Sequence, residues 1–273
     1  MKNCIYMLAP YNGTSGRQMM SFIITTDKEK VIVIDGGYRA DAEPLLKKLR
    51  EVTGREVPHV DGWILTHAHN DHIWAFCEIV ENHRDEVTFD EVYYNFPSAQ
   101  YCLRSDNDPA PLDFYHDLPL FADKVCIVSQ GDRYRIGGID FDILYTSDQS
   151  FYENSTNNSS TVFSFTFCGK KFIFLGDLGE EGGLKLLGEY GDALKSDYCQ
   201  MAHHGQNGVT EEVYKAIDPQ YCFYTAPLWL WNNDNGKGFD THIWNTVKTR
   251  RWMEKLHVAE SYNLCGGDVV IEL

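Results

Sequence analysis

One short stretch of the chain carries a dense cluster of side chains that can bind a metal ion. His67, His69, Asp71 and His72 place three imidazoles and one carboxylate within six residues. A buried polar group without a partner costs at least about 2 kcal/mol, so four such groups together indicate a charged ligand that compensates for their lost hydration. A divalent metal ion meets this requirement, and we favour it over a histidine-rich surface turn.

The flanking residues predict a strand-to-helix turn at this cluster. Residues 61–66 read as a short buried strand, and apolar side chains recur at helical spacing over residues 73–80. The first two histidines alternate along extended backbone, so they can point the same way. Asp71 and His72 fall in the first helical turn, where the helix dipole favours a carboxylate. This arrangement predicts two adjacent metal sub-sites.

Three further strand ends carry polar side chains of the same kind. Asp35, Asp177 and the pair His203-His204 each follow an apolar run that predicts a buried strand. A carboxylate or imidazole at such a position is costly unless it has a partner, which again favours a cation. Three alternatives stay open: an ordinary Asp-Gly turn for Asp35, a helix cap near Gly182 for Asp177, and a core or surface role for the two histidines.

The spacing His-x-His-x-Asp-His resembles the signature of the metallo-β-lactamase superfamily, and the other landmarks follow it in the order typical of that family. The resemblance implies an α/β fold, a four-layer αββα sandwich, which also suits two successive halves of strands followed by helices. We expect one domain over residues 1–273. The polar, proline-containing segment 97–124 is expected to be an insertion that shapes the mouth of the site.

The resemblance also implies the ligands of two metal ions. They are His67 and His69 for one ion, and Asp71, His72 and His203 for the other, with Asp177 between them. Related His-x-Gly patterns favour His203 as the ligand, with His204 facing substrate or donating a hydrogen bond, although the reverse assignment stays open. Such ligands suit Zn²⁺, as one or two ions, and ligand type alone does not exclude Fe or Mn.

One landmark of the superfamily is missing. The first site usually takes a third histidine from a segment shortly before the Gly-Asp strand, where this chain has Ser155 to Ser160 and no histidine. The nearest upstream histidine, His116, is expected to be a surface or substrate-facing residue. The first metal is therefore expected to be weakly held.

The motifs resemble one branch of the superfamily in particular, which contains the metallo-β-lactamase-like domain of the competence protein ComEC and bacterial phosphorylcholine esterases. These relatives favour cleavage of a phosphodiester by a metal-activated hydroxide. The resemblance implies catalytic roles for Asp71, His204 and His242, and His242 would lie near the metals or act as general acid. It implies that Asp35 supports the metal loop by hydrogen bonding. It also implies that Asn158 orients the substrate. An asparagine in a polar loop and a histidine at a helix start are also ordinary turn and cap residues.

Other functions fit the same residues. Hydrolysis of a carboxylic ester, lactone or thioester is one alternative, and a metal-binding scaffold without turnover is another. An oxygen-reducing di-iron protein is disfavoured because His69 stands where that branch usually has a carboxylate. The aromatic residues Trp229, Trp231 and Trp244 are expected in a pocket, a cation-binding cage or the core.

Composition limits the partners. The 273 residues carry a formal net charge of -16, which argues against stable binding to nucleic acid or to an anionic membrane. We expect a small-molecule or phosphodiester substrate.

The eight cysteines are scattered without a Cys-x-x-Cys pair, and neither a signal peptide nor an apolar run of about 18 residues is evident. These features predict a soluble, cytoplasmic protein whose oligomeric state the sequence leaves open.

Overall fold

The computed structural model describes residues 1–13, 16–105 and 107–273. Its strands are, in chain order, β1 (Cys4–Met7), β2 (Ser21–Thr25), β3 (Val31–Asp35), β4 (His59–Val60), β5 (Gly62–Ile64), β6 (Thr88–Phe89), β7 (Val92–Tyr94), β8 (Val125–Ile127), β9 (Arg133–Ile136), β10 (Ile139–Tyr145), β11 (Val162–Phe167), β12 (Lys170–Phe174), β13 (Tyr198–Gln200), β14 (Tyr221–Tyr224), β15 (Glu260–Asn263) and β16 (Val269–Glu272).

The helices connect these strands. They are α1 (Ala42–Thr53), α2 (Asn70–Asn82), α3 (Ala99–Cys102), α4 (Ala110–Asp117), α5 (Glu180–Tyr190), α6 (Glu211–Ile217), α7 (Leu228–Trp231) and α8 (Thr246–Lys255). Short 3₁₀ turns also occur, among them Asn157–Ser159 and Ala202–Gly205.

Two seven-stranded sheets form the centre of the fold. The first has the order β16-β1-β2-β3-β5-β7-β8, and the second has the order β15-β14-β13-β12-β11-β10-β9. Each sheet is antiparallel in one half and parallel in the other, with β3, β5, β7 and β8 parallel in the first sheet and β12 to β15 parallel in the second. The parallel strands are the ones whose carboxyl ends carry the candidate ligands.

The apolar core lies in three layers, as expected for helices packed outside two facing sheets. Phe22 and Phe174, from different sheets, belong to the central cluster, and their ring centroids are 5.0 Å apart. Ile23, which points to the other face of β2, packs with Leu45 of α1 and Phe76 of α2. On the outer face of the second sheet, a third cluster includes residues of α5, α6 and α8. The predicted four-layer αββα sandwich is confirmed.

Several predicted elements differ from the observed ones. The predicted strand 61–66 is shorter, Gly62–Ile64, and the segment 97–124 contains the helices α3 and α4. α3 has only four residues, too few to produce a hydrophobic period that sequence reasoning can detect. Among the described residues, no helix combines the length and apolar character that crossing a bilayer requires.

A buried acidic group at the end of α4 makes stability depend on pH. Burial and the neighbouring carboxylate of Glu81 raise the pKa of Asp117 to about 6. The carboxyl group of Asp117 therefore stays protonated to a higher pH in the folded state than in the unfolded chain. The contribution of Asp117 to the free energy of unfolding declines as pH rises from about 4 to about 6. We expect Asp117→Asn to raise the melting temperature by a few degrees at pH 7.5, with the gain shrinking towards pH 4. The exposed Asp123→Asn is the control for thermal unfolding, and equal responses of both variants would contradict this account.

Candidate metal centre

The histidine-rich loop follows β5 and ends in the first turn of α2. His69 is extended, with φ of −99° and ψ of 154°, and α2 begins at the next residue. The carbonyl of His69 accepts hydrogen bonds from the amides of His72 and Ile73 at 3.1 and 3.0 Å. The loop therefore changes from extended to helical backbone at His69, which places Asp71 and His72 in the first helical turn.

The remaining candidate ligands come from the second sheet. Asp177 follows β12 after Gly176, whose φ is +56° and whose added Cβ would lie 2.9 Å from the Ser160 hydroxyl, so only glycine fits. His203 and His204 follow β13, and both have left-handed backbone, with φ of 52° and 56°. The amide of His203 donates to the carbonyl of Gly176 at 3.1 Å. This hydrogen bond holds the two strand ends together.

Four side chains, Asp71, His72, Asp177 and His204, converge in what we call the second site. The Nε2 atom of His204 lies 3.2 Å from Asp71 Oδ2 and 3.3 Å from Asp177 Oδ2. The Nε2 atom of His72 lies 3.2 Å from Asp177 Oδ1 and 3.9 Å from Asp71 Oδ1. Ligand atoms about 2.1 Å from a tetrahedral ion are about 3.4 Å from one another. Each of these separations suits two ligands of one ion, and the ligand atoms of Asp71, His72 and His204 all lie within 4.8 Å of one another.

Burial supports the same interpretation. Asp71 is 7% exposed and His72, Asp177 and His204 are at most 1% exposed. Although they lie close together, His72 Nε2, His204 Nε2 and Asp177 Oδ1 have no hydrogen-bond partner among the described residues. Unpaired buried polar atoms are costly, and three of them facing one point fit a divalent cation.

The first site adjoins the second and consists of His67 and His69. The Nε2 atom of His67 lies 3.0 Å from His69 Nδ1 and 4.0 Å from Asp177 Oδ2. His67 also groups with His72 and Asp177, with all candidate ligand atoms within 4.8 Å of one another. Asp177 thus lies between the two sites, and the first site has fewer protein ligands than the second.

The two consecutive histidines reach different surroundings. His204 is completely buried, whereas the side chain of His203 is 21% exposed and its Nε2 atom lies 3.8 Å from Asp177 Oδ2. In the structure His204, and not His203, approaches Asp71, which favours the open alternative that His204 is the ligand. The physical reason is the left-handed backbone at both residues, which turns the second imidazole inward and leaves the first at the rim.

Asp35 lies completely buried behind the metal-binding loop. Its carboxylate accepts hydrogen bonds from the amide and hydroxyl of Thr66 at 2.8 and 2.7 Å, and its Oδ2 atom is 2.7 Å from His72 Nδ1. Its backbone carbonyl accepts a hydrogen bond from the Trp63 indole at 2.9 Å. A carboxylate in this position fixes the ring of a metal-binding histidine, so that His72 Nε2 faces the second site.

Two hydroxyl groups that the sequence analysis did not identify support the same cluster. The Oγ1 atom of Thr225 lies 2.7 Å from His204 Nδ1, and the amide of Asp177 donates to Ser160 Oγ at 3.0 Å. Both hydroxyl residues are buried. Thr225 follows β14, and His204 lies shortly after β13, the parallel neighbour of β14. Thr225 can therefore be recognised as a partner of His204 only when the pairing of these two strands is known.

The electrostatics follow from burial and close charges. Burial and the adjacent ring of His72 lower the pKa of His67 well below its usual value. Burial acts in the same direction on His72, but the carboxylates of Asp177 and Asp35 outweigh it and raise the pKa of His72 well above that value. Against the effect of burial, His204 and His72 lower the pKa of Asp71 to about 2. Asp71 is therefore an anion at neutral pH, as a metal ligand must be.

The described contacts of three other residues, Asn158, His116 and His242, do not include the candidate metal ligands. The Asn158 side chain accepts from the Gly182 amide at 3.2 Å and donates to Glu181 Oε2 at 3.0 Å, so it anchors the start of α5. The expected role of Asn158 in orienting a substrate stays a prediction. His116 is exposed on α4, in agreement with its expected surface position.

His242 lies in an aromatic group at the surface. Its ring stacks on Trp244 with centroids 5.2 Å apart and lies 5.9 Å from Trp229. Its described contacts do not include the metal sites. The helix predicted to begin near this residue starts instead at Thr246, because the preceding residues form a loop in which the Asn233 side chain donates to the His242 carbonyl.

Fold and site together define the class of this protein. The chain has the metallo-β-lactamase fold, with groups of candidate metal ligands at the carboxyl ends of its parallel strands. The profile described as the metallo-beta-lactamase superfamily matches residues 15–88, which contain the histidine-rich loop. The resemblance inferred from the motifs is therefore confirmed.

A curated relative matches over a longer part of the chain. ComE operon protein 3 of Bacillus subtilis (strain 168) is 26% identical over 179 residues, which is 64% of this chain and 21% of that protein. The chain thus spans about one fifth of the length of this relative.

Solved structures share the fold at low sequence identity. The metallo-beta-lactamase fold protein YhfI from Bacillus subtilis has a TM-score of 0.58 and 11% identity, covering 98% of this chain and 99% of that one. The diiron beta-hydroxylase CmlA from Streptomyces venezuelae has a TM-score of 0.57 and 13% identity, covering 100% and 54%. A diphosphatase from the PhnP family has a TM-score of 0.50 and 11% identity, covering 99% and 98%.

Proposed function

We propose that this protein is a zinc-dependent hydrolase that cleaves phosphodiesters. The observation that carries the proposal is the second site, where Asp71, His72, Asp177 and His204 converge at 3.2 to 3.9 Å. Three facing atoms of this set lack hydrogen-bond partners among the residues described. Imidazole and carboxylate ligands of this kind suit Zn²⁺. His67 and His69 lie beside this set and provide a place for a second ion.

Zinc held at these sites supplies a water whose pKa is lowered towards about 7 and polarises the bond that is cleaved. The chain itself orients the ligands and handles protons. Gln18 Nε2 lies 3.4 Å from Asp71 Oδ2, the same oxygen that faces His204, so Gln18 positions the Asp71 carboxylate. We assign to Asp71, the most exposed member of the second site, the role of proton acceptor.

We propose His242 as proton donor on the resemblance alone, for a leaving group that extends to the aromatic group of His242, Trp229 and Trp244. The Nδ1 atom of His242 accepts a hydrogen bond from the Ile243 amide at 2.8 Å, so in the neutral ring the proton is on Nε2. That atom is a donor, as protonation of a leaving group requires. Stacking on Trp244 limits rotation of the ring.

An anionic substrate needs positive charge near the site, because the chain has a net charge of -16. Arg17 supplies it in a cavity of about 300 Å³ that Tyr38 and Trp74 also line. Its guanidinium lies 5.8 Å from the centre of the Tyr38 ring, and no acidic partner of Arg17 occurs among the described residues. Burial and the nearby carboxylate of Asp71 raise the pKa of Tyr38, which lines this cavity, so the cavity lies near Asp71. We propose that it receives an anionic part of the substrate.

The comparisons support this choice to different degrees. ComE operon protein 3 matches more than half of this chain. This match agrees with the motif resemblance to the ComEC branch, for which we favour a phosphodiester substrate. The likeness to a PhnP-family diphosphatase supports the view that this fold can serve an enzyme acting on phosphate groups. The likeness to a diiron hydroxylase is of fold alone at 13% identity, and the histidine at position 69 still favours zinc in our proposal.

We also propose that residues 97–124 shape the mouth of the site. The Asp108 carboxylate accepts a hydrogen bond from the Asn70 amide at 3.1 Å, immediately before Asp71. Ser105 and Ser155 hydroxyls are 2.7 Å apart, which links this segment to the polar loop that precedes β11. The segment is thus tied to both sides of the metal sites.

A panel of chromogenic esters tests the proposed reaction. Purified protein loaded with zinc is assayed with bis(p-nitrophenyl) phosphate, p-nitrophenyl acetate and a lactone under identical conditions. We expect the highest kcat/KM for the phosphodiester, and no activity after dialysis against a chelator. Faster turnover of the carboxylic ester or lactone would overturn the assignment of the bond, and inactivity towards every ester despite bound zinc would favour a binding protein.

Removal of Arg17 gives a prediction about the substrate's charge. We expect Arg17→Ala to raise KM for an anionic diester about 10-fold, since a hydrogen bond to a charged group contributes about 1.5 kcal/mol or more. The KM for neutral p-nitrophenyl acetate should stay the same. Steady-state kinetics measures both values, with Arg133→Ala as control because Arg133 pairs with Asp142 on β10. An equal rise for both esters would contradict a charge-specific role.

A further inference from the structure

We propose that a proton shared between the carboxyl groups of Asp117 and Glu81 holds α4 against α2, and that loss of this proton at higher pH loosens the segment 97–124. Asp117 is the last residue of α4, and Glu81 lies on α2. We call these two groups the carboxyl pair. The contact itself is independent of bound metal and of the reaction. Its consequence for the mouth of the site rests on the proposed function, in which this segment shapes that mouth.

The side chain of Asp117 is buried without a hydrogen-bond donor. It is 1% exposed, and neither carboxyl oxygen has a hydrogen-bond partner among the described residues. A buried carboxylate without a partner is costly, whereas a neutral carboxyl group can donate its proton to a neighbouring acceptor. Glu81 and Cys77, one helical turn apart on α2, are the neighbours of this carboxyl group. Glu81 is therefore the acceptor that the structure provides.

Arg39 decides which member of the carboxyl pair is ionised. Two nitrogens of its guanidinium lie 2.5 and 3.3 Å from the two carboxylate oxygens of Glu81, and one lies 3.1 Å from Glu78 Oε2. This pairing lowers the pKa of Glu81. Burial and the carboxylate of Glu81 raise the pKa of Asp117 to about 6, and the weaker attraction of Arg39 does not reverse that shift. The proton therefore belongs to Asp117.

Three other ionisable groups face the carboxyl pair. Burial and the neighbouring carboxylates raise the pKa of Cys77, so its thiol stays neutral. On α4, Asp113 Oδ2 lies 3.5 Å from Arg39 Nη2. His116, also on α4, adds to the effect of Arg39 in lowering the pKa of Glu81. The positive charges of this cluster therefore stabilise Glu81 as an anion and as the acceptor of the shared proton.

The helix α4 connects the carboxyl pair to the histidine-rich loop. Near its middle, Asp113 Oδ2 accepts a hydrogen bond from the Trp74 indole of α2 at 2.9 Å. Just before its start, the Asp108 carboxylate accepts from the Asn70 amide at 3.1 Å. Since α4 has eight residues, these contacts and Asp117 are spread along a helix about 12 Å long. A loosened contact at Asp117 therefore weakens the hold of the segment on the start of α2.

The direction and size of the effect follow from proton linkage. A detached and solvated Asp117 has an ordinary pKa of about 3.9, whereas the packed side chain has a pKa of about 6. The proton thus stabilises the packed state, and this contribution declines as pH rises from about 4 to about 6 and is lost above that range. With these two values, the equilibrium constant for local detachment of α4 rises about 10-fold from pH 5 to pH 8.

Amide hydrogen exchange of the purified full chain, corrected for the intrinsic exchange rate at each pH, measures this detachment. We expect α4 amides to exchange at least about 10-fold faster than those of β2 and β3, because α4 detaches without global unfolding. Their protection should fall about 10-fold from pH 5 to pH 8. Asp117→Asn always carries a donor for Glu81, so its α4 protection should change less than about twofold. Glu81→Gln supplies an amide donor to Asp117 and should also flatten the pH dependence.

Asp123→Asn alters an exposed carboxyl group shortly after α4 and should keep the pH dependence of the parent. Unchanged α4 protection of the parent between pH 5 and pH 8 would overturn the inference, as would a parent-like pH dependence in both variants of the carboxyl pair. Equal protection of α4 and of the two strands would also overturn it, because α4 would then be released only by global unfolding. These results leave the proposed metal centre and reaction to their own tests, since exchange requires neither bound zinc nor turnover.

Discussion

Replacing Asp177 by asparagine is expected to remove both metal ions and to lower phosphodiester hydrolysis by about 1,000-fold or more. The two oxygens of this carboxylate lie 3.2 Å from His72 Nε2 and 3.3 Å from His204 Nε2, and one of them also faces His67. An amide keeps the shape but loses the charge that attracts both ions. Loss of several kcal/mol of metal-dependent transition-state stabilisation corresponds to about three orders of magnitude in rate. Elemental analysis and kcat measure the two effects.

A matched control for this substitution is Asp140→Asn, which alters an exposed carboxylate paired with Arg135 on β9. It should retain the metal content and rate of the parent. If Asp177→Asn kept two equivalents with unchanged affinity, Asp177 would not lie between the ions and the proposed centre would need a different shared ligand.

Asp35→Ala is expected to destabilise the metal-free protein by about 3–5 kcal/mol. The substitution removes the acceptor for the amide and hydroxyl of Thr66 and leaves the buried His72 without the carboxylate on its Nδ1 side. Breaking a buried charged pair by removing one partner typically has an effect of this size. Urea denaturation followed by circular dichroism measures the change in the free energy of unfolding.

Asp35→Asn provides the comparison for this prediction. Asparagine tolerates the left-handed backbone at this position, where φ is +54°, and it can still accept from Thr66. We expect a smaller loss of stability but weaker zinc binding, because the His72 ring loses its anionic partner. A change below about 1 kcal/mol for Asp35→Ala would show that the buried contact does not stabilise the loop.

The local features of the site were predictable from sequence. The loop and the first turn of α2 depend on neighbouring residues, so the spacing of His67, His69, Asp71 and His72 was enough to place them. The sandwich was also predictable, because its strands and helices alternate with clear hydrophobic patterns. Asp35 makes hydrogen bonds to the loop of the kind that the resemblance implied.

The order of the histidine pair depended on backbone geometry that sequence patterns do not encode. A left-handed turn over His203 and His204 decides which imidazole enters the second site, and neither residue type favours that turn. Thr225 is brought to His204 by pairing between β13 and β14, a contact 21 residues apart in the chain. The contacts of Asn158 with the start of α5 were not predicted, because the position of that helix relative to the polar loop depends on tertiary packing.

Metal content per chain tests the central claim most directly. Protein purified without added metal, and then dialysed against zinc and buffer, is measured by elemental analysis beside Asp177→Asn. The proposed centre predicts close to two zinc equivalents in the parent and a clear loss in the variant. No bound metal in the parent after exposure to zinc would contradict the account.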